Sequence, residues 1–176
     1  MEQIIPISDC WTPADLWLVR EVRSFGELPA IAINVIRRLP GKRHALSGPI
    51  STGGFECSEK NLALFDACTR IALARGVSVF NLIPLQIAIT PLVKYWRRVT
   101  GNTGYCQEVL DEIYRPIFES GEIHGALMFP TYQTSTGALW ERMQFTRLNI
   151  PIENYPDEWF AEAVNSIADI AAVTTQ

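Results

Sequence analysis

The sequence predicts an α/β fold: a parallel sheet covered by helices on both faces, with an N-terminal extension over residues 1–40 and the sheet domain over 41–176. Three observations carry that prediction. From Arg43 onward, short apolar stretches alternate with amphipathic ones in the order β-α-β-α-β-α-β-α, the pattern that right-handed crossovers turn into a parallel sheet. The strand stretches are short and apolar throughout, as strands buried on both faces are. The first and third strands each run into a loop rich in hydroxyl residues, and in such sheets ligands gather beyond the carboxyl ends of the strands.

In the extension, Asp15 to Val22 has helical spacing (Leu16, Leu18, Val19, Val22) and stops before Gly26, while Ile31 to Ile36 reads equally as strand or helix. His44-Ala45-Leu46 is the first strand and leads into Ser47-Gly48-Pro49-Ile50-Ser51-Thr52-Gly53-Gly54. A helix follows from about Ser58 to Arg75, with Leu62, Phe65, Cys68 and Ala72 on one stripe and Gly76 as its stop. Val77 to Leu82 reads as a second, buried strand. Pro84 to Val99 is irregular or helical, Gly101-Asn102-Thr103-Gly104 is a turn, and Cys106 to Phe118 is a helix. Ile123 to Phe129 is the third strand, Thr136 to Leu148 a helix, Ile150 to Ile152 a short fourth strand, and Pro156 to Ala172 the closing helix.

At 176 residues, 48% of them hydrophobic and 19% charged, the chain can bury a core without disulfides or a structural metal. A net charge of -4 offers no cationic field to a nucleic-acid polymer. The basic pairs Arg37/Arg38, Lys42/Arg43 and Arg97/Arg98 read as solvated faces. A small phosphorylated ligand stays compatible with this charge, because one or two phosphates need only a local nest of N–H donors. Cys10, Cys57, Cys68 and Cys106 lie far apart with no CxxC, and the histidines are His44 and His124, so no metal or cofactor is implied. Met1-Glu2-Gln3 does not open a signal peptide, and Val77 to Val93 is broken by Asn81, Pro84, Gln86 and Pro91, so no membrane span is expected. The expected compartment is a reducing cytoplasm with free thiols.

The chemistry concentrates in two loops and one glutamate. Ser47–Gly54 combines glycines with Ser47, Ser51 and Thr52, which suits close backbone approach to phosphate or sugar oxygens, although it is neither GxGxxG nor a P-loop. In the second loop, Pro130–Gly137, a cap at Ser135 would place a capping-box acid at Ala138, so Glu141 is not a cap partner. Helical spacing sets Glu141 in a row with Ala138, Phe145 and Leu148, a row expected to face the sheet. A carboxylate there is costly unless paired or used. The structural alternative is an ion pair with Arg142 or Arg147.

Ser47-Gly48-Pro49-Ile50-Ser51-Thr52-Gly53-Gly54 together with Ser135-Thr136-Gly137-Ala138-Leu139-Trp140-Glu141 resembles the nucleoside 2-deoxyribosyltransferase superfamily. The nearest branches are the 2'-deoxynucleoside 5'-monophosphate N-glycosidases and uncharacterised, often phage-encoded relatives. The resemblance spans about residues 43–152, and S-x-G-x-x-x-E before a helix is its more specific motif. It implies a flavodoxin-like fold and N-glycosidic cleavage or transfer on a nucleoside or nucleoside 5'-monophosphate, with Glu141 as nucleophile at C1'. It also implies that Ser47 or Ser51 and Ser135 hold a phosphate, that Gly48, Gly53 and Gly137 keep the backbone close to the ligand, and that Thr52 lies in the substrate loop. The family's aspartate ahead of the third strand has no clean counterpart: Ile113-Tyr114-Arg115 stands there, with Asp111 and Tyr114 the nearest acid and hydroxyl donor. Tyr95, Trp96, Tyr105 and Trp140 are candidates to stack on a base. Relatives complete the pocket with a neighbouring subunit, so a homo-oligomer is expected.

Overall fold

The computed structural model describes residues 6–173, and side chains through 168. Helix α1 (Pro13–Glu21) begins at Thr12, whose hydroxyl accepts from the Asp15 amide while the Asp15 carboxylate accepts from the Thr12 amide, a reciprocal capping box. Arg38 closes that corner by bonding to the buried Asp15. The ambiguous Ile31–Ile36 stretch is helical, within α2 (Leu28–Arg38). Its apolar residues Leu28, Ile31, Ala32, Val35 and Ile36 follow helical spacing and are all buried. Residues 7–39 of the expected extension therefore supply part of the common core, and α2 packs on the helix Arg115–Glu119. Residues 1–5 of that segment lie outside the described residues.

The sheet is parallel throughout. Strand β1 (His44–Ser47) pairs with β2 (Gly125–Met128), Ser47 lying opposite Met128, and β2 pairs with β3 (Ile152–Asn154). The expected strand at Val77–Leu82 is reduced to a single parallel bridge, His44 to Val79, on the free edge of β1. Two backbone bonds hold it, His44 N–H to Ser78 O at 2.8 Å and Phe80 N–H to His44 O at 2.9 Å. The chain then leaves the sheet because Trp11 Nε1 donates to Asn81 O and the Asn81 side chain accepts from the Ile83 amide. The fourth strand starts two residues later than expected: Pro151 has no N–H for a ladder, and only its carbonyl serves, accepting from Ala126. With the bridge included, the order across the sheet is second, first, third, fourth, the flavodoxin-like arrangement.

Helix α3 (Ser58–Ala74) ends as its sequence predicts, at Gly76 with φ +76°. It packs on α7 (Asp157–Val173), and between them Phe65, Phe129, Tyr155 and Phe160 form an aromatic core, with Phe65 and Phe129 centroids 5.0 Å apart. The other helical layer joins α5 (Arg115–Glu119) to α6 (Thr136–Arg147), where Phe118 meets Phe145 at 4.7 Å. Between α3 and α5 in sequence, Pro84–Val99 resolves into α4 (Gln86–Thr100), which carries Pro91 inside it and ends at Gly101. The helix expected over Cys106–Phe118 is instead a π-helical turn, Val109–Tyr114, followed by α5. Arg115 N–H bonds to Leu110 O, five residues back, and Pro116 then has no N–H with which to continue an α-helical ladder. Among the described residues no helix is long and apolar enough to cross a membrane.

Candidate functional site

After β1 the chain goes to one edge of the sheet, and after β2 to the other, so the loops that follow these two neighbouring strands diverge over a crevice. That is where open α/β sheets bind ligands. Here the crevice is a cavity of about 330 Å³, a small-molecule size. Its polar wall comes from the two loops: Gly48, Ser51, Thr52, Ser135 and Gly137 all line it. Its floor carries Glu141.

The loops are built to stay together. Thr52 Oγ1 accepts from the Thr136 amide at 3.0 Å, and the Gly54 amide donates to Thr134 Oγ1 at 2.8 Å. Asn61, buried in the first turn of α3, holds the first loop from beneath, accepting from Phe55 N–H and donating to the carbonyls of Ile50 and Gly53. Gly53, expected at the ligand, serves this loop contact and does not line the cavity: at φ +71° an added Cβ would lie 2.1 Å from Thr134 O. Ser135 caps α6 by accepting from the Ala138 amide, which sets Glu141 two turns in and facing β1.

There Ser47 Oγ donates to Glu141 Oε2, joining the end of β1 to α6. The alternative ion pairs are absent: Arg147 bonds to Glu119 and Gln144, and Arg142 lies over the Tyr132 ring. Glu141 is 8% exposed, and burial raises its pKa to about 7, with the Ser47 hydrogen bond acting in the opposite direction. Among the described residues its other carboxylate oxygen accepts no hydrogen bond, which leaves it free toward the cavity. A carboxyl titration of Glu141 by NMR is expected to show a midpoint near 7 in the native chain. In Ser47→Ala the midpoint moves higher, because the bond that favours the charged form is gone. A midpoint in the ordinary carboxylate range for either protein would contradict this account.

Tyr114 and Asp111, the paired candidates near the expected aspartate, part company. Tyr114 is buried and lines the cavity, and burial and then the Glu141 charge hold its phenol protonated far above the usual range. Asp111 does not line it; the π-helical turn leaves it half-exposed in an ion pair with Arg115. Of the candidate stacking residues only Tyr105 reaches the cavity. Its hydroxyl lies against Gly137, where an added Cβ would be 2.8 Å away, and burial pushes its pKa to about 12. Trp96 bonds Glu108, Trp140 packs on Phe118, and Tyr95 lies under Arg98.

The remaining wall comes from the segment that the sequence pattern leaves as irregular or helical. Gln86, Ile89, Val93 and Arg97 of α4 close the cavity opposite the loops, helped by Val109 and Leu110 of the π-helical turn. Their helical spacing was the available signal, but Pro91 and the polar interruptions hid the helix. Arg97, read as part of a solvated pair, lies at the cavity edge.

A parallel α/β sheet with a buried carboxylate at its switch point, hydroxyls on one wall and apolar side chains on the other, defines a small-molecule site. No family model, curated protein or solved structure matches the chain.

Proposed function

We propose that the protein cleaves or transfers the N-glycosidic bond of a nucleoside or nucleoside 5'-monophosphate, with Glu141 as nucleophile. The single observation that carries this is the Glu141 carboxylate, buried at the cavity floor with one oxygen held by Ser47 and the other free. In the first step that free oxygen bonds to C1' as the C1'–N bond breaks, and the base leaves with the electron pair and takes up a proton. In the second, water or another base attacks C1' and releases the carboxylate. Neutral Tyr114 and Tyr105 are the hydroxyl donors available to the leaving base. Ser51, Thr52 and Ser135, with the first turn of α6, are the donors for sugar or phosphate oxygens.

The reading includes a homo-oligomer in the cytoplasm. Ile87, Tyr95 and Val99 on the outer side of α4 are exposed apolar surface that a second subunit would cover. The test of the activity is a panel of nucleosides and 5'-monophosphates followed by chromatography for free base. Release from at least one member, absent in Glu141→Ala, is the expected result; no release from any, or undiminished release in the variant, overturns it. One observation favours a second reading, a non-catalytic nucleotide-binding or sensing module: among the described residues no carboxylic acid besides Glu141 lines the cavity to protonate a leaving base. Calorimetric binding without turnover would select it.

A further inference from the structure

Helix α4 presents one stripe to the cavity, Gln86, Ile89, Val93 and Arg97, spaced so that all four fall on one face. The stripe has a direction. Gln86, in the first turn of α4, lines the same cavity as Tyr114 and Glu141. Arg97 is about three turns further on, roughly 16 Å along the axis at 1.5 Å per residue. Between them lie only the apolar Ile89 and Val93, facing Val109 and Leu110 from the π-helical turn. The stripe thus runs from an amide through an apolar middle to a guanidinium, in a cavity that also holds the Glu141 carboxylate.

Arg97, exposed at the edge of the cavity, has no counter-charge among the described residues. Among the described residues no carboxylate bonds to it and no aromatic ring lies under it. Its neighbour Arg98, by contrast, lies 5.3 Å over the Tyr95 ring. Thr103, Ser51 and Thr52 line the same cavity with hydroxyls, and the first turn of α6 borders it through Ser135 and Gly137. Neutral donors and one unpaired cation around an opening recognise an anion.

We propose that Arg97 is the anion-reading residue of this cavity, so that the preferred ligand carries its negative charge at the α4 C-terminal end of the cavity that holds Glu141. The inference rests on the nucleoside reading above and adds to it the charge of the substrate and the residue that selects it. The shared chemistry is a cluster of anionic oxygens, either a phosphate on the sugar or a carboxylate on the base.

The test is calorimetric titration of the full chain carrying Glu141→Gln, so that turnover does not consume the probe. The probes are adenosine and uridine, their 5'-monophosphates, and orotidine, whose base bears a carboxylate. At least one anionic probe is expected to bind about tenfold or more tighter than its neutral parent, equivalent to about 1.4 kcal/mol. The preference disappears in a second Arg97→Ala substitution and is partly retained with Arg97→Lys, while affinity for the neutral nucleoside stays unchanged. Tightening by the monophosphates assigns the charge to the sugar side, and tightening by orotidine assigns it to the base side. Equal affinity for neutral and anionic probes, or a preference that survives Arg97→Ala, overturns the inference. If base release from the native protein persists in that case, the glycosidase reading stands without it. Binding of none of the probes overturns both.

Discussion

Glu141→Gln is expected to lose turnover and gain stability at once. Under the proposed nucleophilic role, replacement of Glu141 by an amide should lower the rate of base release by about 10⁴-fold or more. The stability change follows from the raised pKa of the carboxyl. Its folded value is about 7, against an unfolded value near 4.3 in model peptides. Between those two values the folded chain binds the extra proton, so stability falls as pH rises from about 4 through about 7 and stays lowered above that. The amide carries no such penalty and still accepts the Ser47 hydroxyl. At pH 8 the variant should therefore be more stable by up to about 3 kcal/mol, a rise in Tm of roughly 6–12 °C, and at pH 4 the two proteins should melt together. Thermal melts at the two pH values measure it. An unchanged or lower Tm at pH 8 would show that Glu141 is not desolvated as described.

Gly48→Ala should be among the most damaging single methyl additions in the chain. The new Cβ would lie 2.1 Å from Phe129 Cδ2 and 2.7 Å from its Cγ. Phe129 has no room to retreat, being 1% exposed and enclosed by Phe65, Tyr155 and Phe160. Overpacking of this kind costs up to about 3 kcal/mol, which lowers Tm by roughly 6–12 °C in a protein of this size. Relief can come only by lifting the first loop, which would also displace Ser51 and Thr52 from the cavity wall and weaken ligand binding. Gly26→Ala is the comparison, because its Cβ would meet nothing closer than Glu112 at 3.9 Å. A Gly48→Ala protein melting within a degree or so of the native chain would refute the close contact.

Both predictions concern residues that stood out in the sequence, and the reason is local. Ser135 as a cap, the glycine and hydroxyl pattern of the first loop, and the offset of Glu141 from a capping-box position are set by neighbours within a few residues. So is the end of α3 at Gly76. The errors arose where distant segments decide. Val77–Leu82 has the composition of a strand, yet Trp11 and Asp9 take the Asn81 backbone and side chain and pull the chain off the sheet after one bridge. Asp111 and Tyr114 lie three apart on what reads as one helical face. The π-helical turn separates them, leaving Tyr114 in the cavity and Asp111 outside it.

The sequence by itself determined the alternation of strands and helices, the two loops at the carboxyl ends of β1 and β2, and the placement of one acid on an inward-facing row. These depend on periodicity, turn chemistry and capping, all of which act over short stretches of chain. Only the tertiary structure decided that Ser47 meets Glu141 across 94 positions, that residues 7–39 share the core, and that α4 closes the cavity with Arg97 at its edge. The physical reason is that burial and counter-charge belong to no residue alone. A carboxylate is desolvated, and a guanidinium is left without a counter-charge, by what the fold places around each of them.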